Sequence, residues 1–213
     1  YALSVTLVIA SYLFSASGDL LNLIASLIGV TALIFVAKGH VLGQLLTIVF
    51  AVFYGVISCG FRYYGEAITY LGMTAPMALL ALITWLRNPY KDSAEVTVNR
   101  LNGRQWAVML ILTAITTAVF YFILRAMGNA ALAVSTLSIT TSFLASYLTA
   151  MRSPYYALAY ASNDLVLIVL WVMAALSEVR YISVVVCFAA FLVNDLYGFL
   201  SWRKMGKRQG LGR

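Results

Sequence analysis

Charged residues are scarce in this chain of 213 residues, at 10% of the total, whereas soluble domains carry about 25%. There is one histidine, His40, and there are two cysteines, Cys59 and Cys187. This inventory is too small for a disulfide framework, a haem attachment motif or a zinc cluster, so we expect no metal and no cofactor. Apolar residues, in contrast, make up 63% of the chain. The balance excludes a soluble domain, a disordered chain and a nucleic-acid-binding protein.

Eight apolar runs approach or reach the length needed to cross a bilayer, which is about 20 residues at 1.5 Å per residue. None alternates apolar and polar residues with period two, so we expect continuous helices whose backbone groups are satisfied internally. The predicted spans are residues 1–16, 19–37, 41–61, 66–86, 105–125, 129–150, 154–176 and 181–202. The predicted fold class is an all-α integral membrane protein with eight transmembrane helices.

Basic residues predict how these spans are oriented. With a cytoplasmic N-terminus, eleven lysines and arginines lie inside and three lie outside. The inner group is Lys38, Arg87, Lys91, Arg100, Arg104, Arg152, Arg203, Lys204, Lys207, Arg208 and Arg213, and the outer group is Arg62, Arg125 and Arg180. Because cytoplasmic loops are enriched in positive charge, we expect both termini to be cytoplasmic.

A seven-residue pattern recurs at a separation of 117 residues, in 81–87 and 198–204. Both copies read small, apolar, apolar, hydroxyl, tryptophan, any, basic. An interfacial tryptophan explains each copy alone but not the shared pattern. Because predicted helices four and eight run in the same direction, we expect two parallel repeats of three helices. The predicted parts are an N-terminal helix (1–16), repeat one (19–86), a cytoplasmic linker with a linker helix (88–125), repeat two (129–202) and a basic tail (203–213).

Two acidic residues, Asp164 and Asp195, fall inside apolar spans, and each follows an asparagine, Asn163 or Asn194. A charge at bilayer depth costs about 3 kcal/mol, so it should face the bundle interior or a cavity. Counting the helical rise places both Asn-Asp pairs near the midplane on adjacent antiparallel helices. A hydrogen-bonded helix clamp would explain one pair. Two pairs at one depth favour a polar cavity, where repeat-built transporters bind substrate.

Aromatic and amide side chains extend this predicted site. Trp171 shares a helix face with Asp164 and is deep for an interfacial tryptophan, so it could stack on a planar ring. An outer-belt position is the alternative. Tyr197 shares a face with Asn194. Gln44 and Tyr54 are further candidates.

Gln44 lies only four residues from His40, so an interfacial position is equally compatible with the sequence. Pro76 is expected to kink the fourth helix. The hydroxyls of the sixth helix, among them Ser142 and Ser146, are expected to serve helix packing first.

The predicted site residues favour some classes of membrane protein over others. An intramembrane protease fits poorly, because His40 lies at the wrong depth and the two aspartates lack a supporting motif. A channel would show a glycine-rich filter or rings of one charge. A proton- or cation-coupled carrier stays open, since Asp164 and Asp195 could carry a proton. A carrier for a small, planar, polar solute, neutral or cationic, fits best, because amides recognise hydroxyls and carboxamides and an aromatic face attracts a cation.

Three stretches carry a family resemblance: Trp85-Leu86-Arg87-Asn88-Pro89-Tyr90 with Ala94-Glu95-Val96, then Tyr160-Ala161-Ser162-Asn163-Asp164 running on to Leu170-Trp171, and residues 192–204. Together they resemble the PnuC family of bacterial nicotinamide riboside transporters. The resemblance covers nearly the whole chain. It implies a SWEET-like fold of two three-helix repeats around a linker helix, in the bacterial inner membrane, as a homotrimer with one pathway per subunit.

The resemblance also implies uptake of nicotinamide riboside by facilitated diffusion, with cytoplasmic phosphorylation trapping the product for NAD biosynthesis. It assigns Trp171 to stacking on the ring. Asn163, Asn194 and Asp195 would serve the carboxamide and the ribose hydroxyls, with Asp164 in the same cavity. The second-rank candidates are Tyr54, Gln44, Tyr197 and Tyr121. A coupled carrier of another small nucleoside or vitamin is the alternative.

Overall fold

This computed structural model describes residues 2–15, 20–60, 64–91, 93–129, 131–176 and 182–210, and the regular structure in these ranges is helical. The helices are α1 (Ala2–Ser15), α2 (Leu20–Ala37), α3 (Leu42–Gly60), α4 (Tyr64–Thr69), α5 (Ala75–Leu86), α6 (Gly103–Ala126), α7 (Leu132–Ala150), α8 (Tyr156–Ala175) and α9 (Ile182–Arg208). A π-helical turn, Tyr70–Thr74, joins α4 to α5.

Four helical stretches are long and apolar enough to cross a membrane: Ala67–Leu86, Gly103–Ala126, Leu132–Ala150 and Tyr156–Met173. Leu23–Ala37 and Leu42–Ile57 are shorter apolar helices. Large apolar side chains on α6, such as Leu110 and Phe122, are 61% and 64% exposed on the outside of the bundle. Such a surface suits lipid and not water. The predicted all-helical membrane fold is confirmed, whereas the count of eight spans stays a prediction.

The π-helical turn lies immediately before Pro76, where the sequence predicts an irregular helix. Proline lacks a backbone N–H, and its ring clashes with the carbonyl four residues earlier. The helix is wider here because its hydrogen bond spans five residues instead of four, with the Ala75 N–H donating to the Tyr70 carbonyl. Pro76 then occupies the first turn of α5 and donates no backbone hydrogen bond.

The helices pack as two groups, α2–α3–α5 and α7–α8–α9. The groups meet where α2 packs on α9 and where α5 packs on α7. In each contact the first helix of one group touches the last helix of the other. The helix α6 lies outside against α7, and α1 lies against α2 and α9.

Two fully buried indoles join the groups at this junction. Trp85 Nε1 on α5 donates to the Thr149 carbonyl of α7 at 2.9 Å. Trp202 Nε1 on α9 donates to the Val36 carbonyl of α2 at 2.8 Å. The indole rings lie 5.4 Å apart between centroids. The two tryptophans of the repeated sequence pattern therefore make equivalent bonds to opposite groups.

The segment 88–102 between α5 and α6, which the structure describes at 88–91 and 93–102, is hydrogen-bonded to both groups. Gly39 after α2 and Arg152 after α7 are both left-handed, with φ of 67° and 58°. The Gly39 carbonyl accepts the Val96 N–H, and the Arg152 carbonyl accepts the Asn99 N–H, each at 2.9 Å. Burial also lowers the pKa of the Arg152 guanidinium.

The helix α9 continues to Arg208, six residues beyond the predicted end of the last span. Arg208 forms an ion pair with Glu95, and this contact raises the pKa of Arg208. Gln209 donates to Glu95 Oε1 at 2.8 Å and accepts the Val98 N–H at 2.7 Å. These bonds to the 88–102 segment hold the basic end of the chain in helical form, which hydropathy alone did not indicate.

Candidate functional site

The carboxyl groups of Asp164 and Asp195 meet between α8 and α9. Tyr156 and Trp202 set the register of these antiparallel helices, with ring centroids 5.0 Å apart. Asp164 lies eight residues beyond Tyr156, and Asp195 lies seven residues before Trp202. Both therefore stand about 10–12 Å deeper in the bundle at 1.5 Å per residue. The two carboxyls are close enough to interact with each other directly.

This carboxyl pair is buried, with Asp164 5% and Asp195 6% exposed. Among the described residues, nothing donates a hydrogen bond to Asp164 Oδ2. Two negative charges in an apolar interior repel each other and lose their hydration. The pair is therefore stable only with a proton or a cation between or beside the carboxyls. Chemically, the site is suited to binding positive charge.

Asn163 precedes Asp164 on α8, and its side chain is held by α7. Its Oδ1 accepts hydrogen bonds from Ser138 Oγ at 3.1 Å and Thr141 Oγ1 at 2.9 Å. Both hydroxyls thus orient one buried amide in addition to packing helices. With Oδ1 accepting from α7, the amide nitrogen of Asn163 is the atom that can donate to a guest carbonyl.

Two tyrosines of α8, the buried Tyr156 and the half-buried Tyr160, line the approach to the pair and are not among the site residues that the sequence predicts. The Tyr160 hydroxyl lies 3.2 Å from Ser146 Oγ, and the Tyr160 ring packs against Tyr156 at 6.2 Å. Tyr156, Tyr160 and Asp164 are spaced by four residues, so they share one face of α8. This four-residue spacing is the sequence signal that identifies Tyr156 and Tyr160 as neighbours of the site.

Asn194 and Tyr197 point away from the carboxyl pair. Asn194 Nδ2 donates to Ser4 Oγ of α1 at 3.0 Å, and the same hydroxyl lies 3.3 Å from Asn194 Oδ1. Tyr197 is 50% exposed on the outer surface. Neighbouring residues of a helix point about 100° apart, so Asn194 and Asp195 face different helices. Asn194 therefore forms a hydrogen-bonded clamp between two helices, which is the alternative that the sequence offered for one Asn-Asp pair. The role of Asn194 in substrate binding stays a prediction.

The remaining predicted site residues lie on several elements. Trp171 is half-buried on α8, two turns beyond Asp164. Gln44 is buried in the first turn of α3. Tyr54 packs on Tyr70 of the π-helical turn, with centroids 4.7 Å apart. Tyr121 of α6 packs on Phe122. Because α6 packs on α7, the helix α7 separates Tyr121 from the carboxyl pair.

An apolar helical bundle that encloses a carboxyl pair and an oriented amide at mid-helix has the construction of a membrane transport protein. Residues 19–204 match the model of a family described as "Nicotinamide mononucleotide transporter". The match spans most of the chain, and the chain belongs to this family. It is a transporter and not an enzyme.

Two curated relatives are each named nicotinamide riboside transporter PnuC. The relative from Neisseria mucosa is 23% identical over 190 residues, covering 87% of this chain and 72% of its own length. The relative from Haemophilus influenzae is 24% identical over 190 residues, covering 88% and 81%. A crystal structure of the vitamin B3 transporter PnuC shares the fold, with a TM-score of 0.80 at 22% identity, covering 98% of this chain and 90% of that one. The resemblance to the PnuC family is confirmed.

Proposed function

We propose that the protein imports nicotinamide riboside across the bacterial inner membrane. The observation that carries the proposal is the buried carboxyl pair Asp164–Asp195, with one oxygen lacking a donor. Nicotinamide riboside carries a positive charge on its pyridinium ring, and a carboxylate in a low-dielectric site attracts such a charge. The names of the relatives from Neisseria mucosa and Haemophilus influenzae support the same substrate.

The described side chains suggest a role for each part of this substrate. The carboxyl pair would face the ring charge, and Trp171 would stack on the ring. The Asn163 amide, oriented by Ser138 and Thr141, would donate to the carboxamide oxygen. The ribose hydroxyls would be met by Asp195 and by Tyr160, with Gln44 and Tyr54 as further candidates.

We also propose the SWEET-like architecture of eight spans, with two parallel repeats (19–86 and 129–202) around a linker helix. The reciprocal packing of α2 on α9 and α5 on α7 supports it, as do the matched bonds of Trp85 and Trp202. Both termini and the 88–102 segment would be cytoplasmic. The functional unit would be a homotrimer with one pathway per subunit.

Transport would proceed by alternating access, with one repeat rocking against the other around the midplane site. The indole bonds of Trp85 and Trp202 hold the two groups together at one end of the bundle. Opening at that end requires both bonds to break or shift. Movement would be facilitated diffusion, and phosphorylation in the cytoplasm would trap the product for NAD biosynthesis.

The direct test is uptake of labelled nicotinamide riboside by the purified protein in liposomes. Trp171→Ala and Asn163→Ala should each reduce uptake about tenfold or more, as expected for loss of a stacking or hydrogen-bonding contact of about 1.5 kcal/mol. Trp106→Ala, on the first turn of α6, is the matched control and should transport normally. Normal uptake by both site variants would contradict the proposed site.

A proton- or cation-coupled carrier is the second candidate, and the same carboxyl pair favours it. Two adjacent carboxyls can exchange a proton for a substrate charge. Under an imposed pH gradient, a coupled wild-type protein would accumulate substrate uphill. Asp164→Asn or Asp195→Asn would abolish accumulation and preserve exchange. Facilitated diffusion requires instead that the wild type only equilibrate the substrate.

A further inference from the structure

A cavity of about 770 Å³ opens where the 88–102 segment meets the start of α8 and the end of α9. We name it the linker cavity. Its walls include Arg100 of the segment, Tyr155 before α8 and Lys207 near the end of α9. Its volume lies in the range of small-molecule sites, which span about 300–1,000 Å³. None of the residues proposed above to contact the transported substrate lines it.

Positive charge dominates the linker cavity. Arg203 and Lys207 lie one turn apart on α9 and both line it, with Arg100 on the segment. None of the described lining residues is acidic. The nearby carboxylate of Glu95 is engaged by Arg208 and Gln209, outside the cavity. The charges of Arg203 and Lys207 are thus left without a carboxylate in the described part of the chain.

An aromatic row forms one wall of the cavity. Trp106 and Tyr155 lie 6.4 Å apart, and Tyr155 and Phe199 lie 6.3 Å apart, between ring centroids. The Arg203 guanidinium stands 5.7 Å from the Phe199 ring centroid, at the end of this row. A stacked guanidinium is held in place and keeps its hydrogen-bonding edge available. The wall is suited to a flat or apolar group attached to the anion.

We propose that the linker cavity binds an anionic phosphate group, with Arg203 and Lys207 as its ligands. Guanidinium groups match the oxygens of a phosphate in two parallel hydrogen bonds, and a lysine adds a point charge. The aromatic row would contact the group that carries the phosphate. Two sources share this chemistry: the headgroup of an anionic phospholipid next to the lipid-facing helix α6, and a soluble nucleotide. The site is independent of the transported substrate.

The test measures thermal unfolding of the full-length protein in detergent with two matched pairs of probes. Phosphatidylglycerol is compared with phosphatidylcholine, and adenosine monophosphate is compared with adenosine. We expect one anionic probe to raise the unfolding temperature above that of its partner, and Arg203→Gln/Lys207→Gln to abolish the rise. A response to the lipid alone assigns a headgroup site, and a response to the nucleotide alone assigns a soluble ligand.

The control variant is Arg104→Gln/Lys204→Gln, which removes two exposed charges near the cavity that do not line it. It should keep the full response. The proposal is overturned if neither anionic probe acts, if the response survives in Arg203→Gln/Lys207→Gln, or if the control loses it equally. If the double variant does not fold, Lys207→Gln alone, at an exposed position, replaces it in the test. This single variant should weaken the response at least severalfold.

Discussion

The two helix groups share a scaffold but differ in chemistry. Seven residues before Trp85 stands Ala78, and seven residues before Trp202 stands Asp195. All four residues are buried, and both tryptophans bond to the opposite group. The position that carries a carboxyl in α9 therefore carries a methyl group in α5.

The same contrast holds between α3 and α8. His40 and Ser153 occupy equivalent places, each donating its N–H to a carbonyl five residues earlier at 2.9 Å. Eleven residues after His40 comes the buried Ala51, and eleven residues after Ser153 comes Asp164. Both carboxyls of the pair thus belong to one group, and the equivalent positions of the other group hold alanines. The two helix groups can therefore keep equivalent packing while only one of them carries a carboxyl site.

The largest effect is expected from making the two groups alike. Asp195→Ala places in α9 the residue type that Ala78 provides at the equivalent position of α5. It should reduce nicotinamide riboside uptake about 10- to 100-fold, because a charge-assisted contact is worth about 1.5–3 kcal/mol. Thermal stability should not fall, since the variant removes repulsion within a buried pair. Glu95→Gln, an acid outside the bundle, is the control. Wild-type uptake by Asp195→Ala would contradict a role for the pair.

A smaller effect is expected where the groups are equivalent. Trp85→Phe and Trp202→Phe each remove an indole donor from a buried carbonyl that keeps its backbone donor. The lost hydrogen bond and the space left by the smaller ring should together cost about 1–3 kcal/mol of stability. The two losses should be similar in thermal unfolding of the purified variants. Uptake should suffer more in Trp202→Phe, because the Trp202 ring also contacts Tyr156. Strongly unequal destabilisation would argue against equivalent junctions.

The next comparison concerns the residue four positions before each tryptophan. A Cβ at Gly198 would come 3.0 Å from the Tyr156 hydroxyl, so Gly198→Ala should displace Tyr156. The overpacking, about 1–3 kcal/mol, should exceed the gain of about 0.5–1 kcal/mol in helix propensity. Its counterpart in α5 is already Ala81, and Ala81→Gly should cost about 0.5–1 kcal/mol through helix propensity alone. Uptake assays should separate them, since only Gly198→Ala disturbs the tyrosine beside the carboxyl pair. Equal uptake in both would exclude that coupling.

The smallest effect is expected at the clamp between α1 and α9. Asn194→Ala and Ser4→Ala remove the same hydrogen bonds, worth about 0.6 kcal/mol in membrane helices. The double variant should be no less stable than either single one in a double-mutant cycle. Both should transport nearly normally. If Asn194→Ala alone abolished uptake, the asparagine would act on the substrate and not on α1.

Much of this arrangement follows from patterns visible in the sequence. Apolar run lengths predict most helices, and Pro76 predicts the irregular turn, since both effects are local. Counting the helical rise from span ends predicts that Asp164 and Asp195 lie at one depth. The family resemblance points to Trp171 and Asn163.

Other features depend on neighbours that a single helix does not reveal. Which way Asn194 points is decided by Ser4 of α1, 190 residues away. The helical end of α9 depends on Glu95 in the 88–102 segment. Tyr160 has a four-residue spacing to Asp164, but its place in the site also depends on Ser146 of α7. These contacts are long-range, so hydropathy and periodicity carry no signal for them.

The central claim is that the carboxyl pair of one helix group recognises the positive charge of the substrate. Calorimetric binding of nicotinamide riboside and of its neutral dihydro form to the purified protein tests it most directly, because the two ligands differ chiefly in ring charge. We expect the wild type to prefer the cationic form at least tenfold and Asp164→Asn/Asp195→Asn to lose that preference. Equal binding of both forms by the wild type, or a preference that survives in the double variant, would contradict the account.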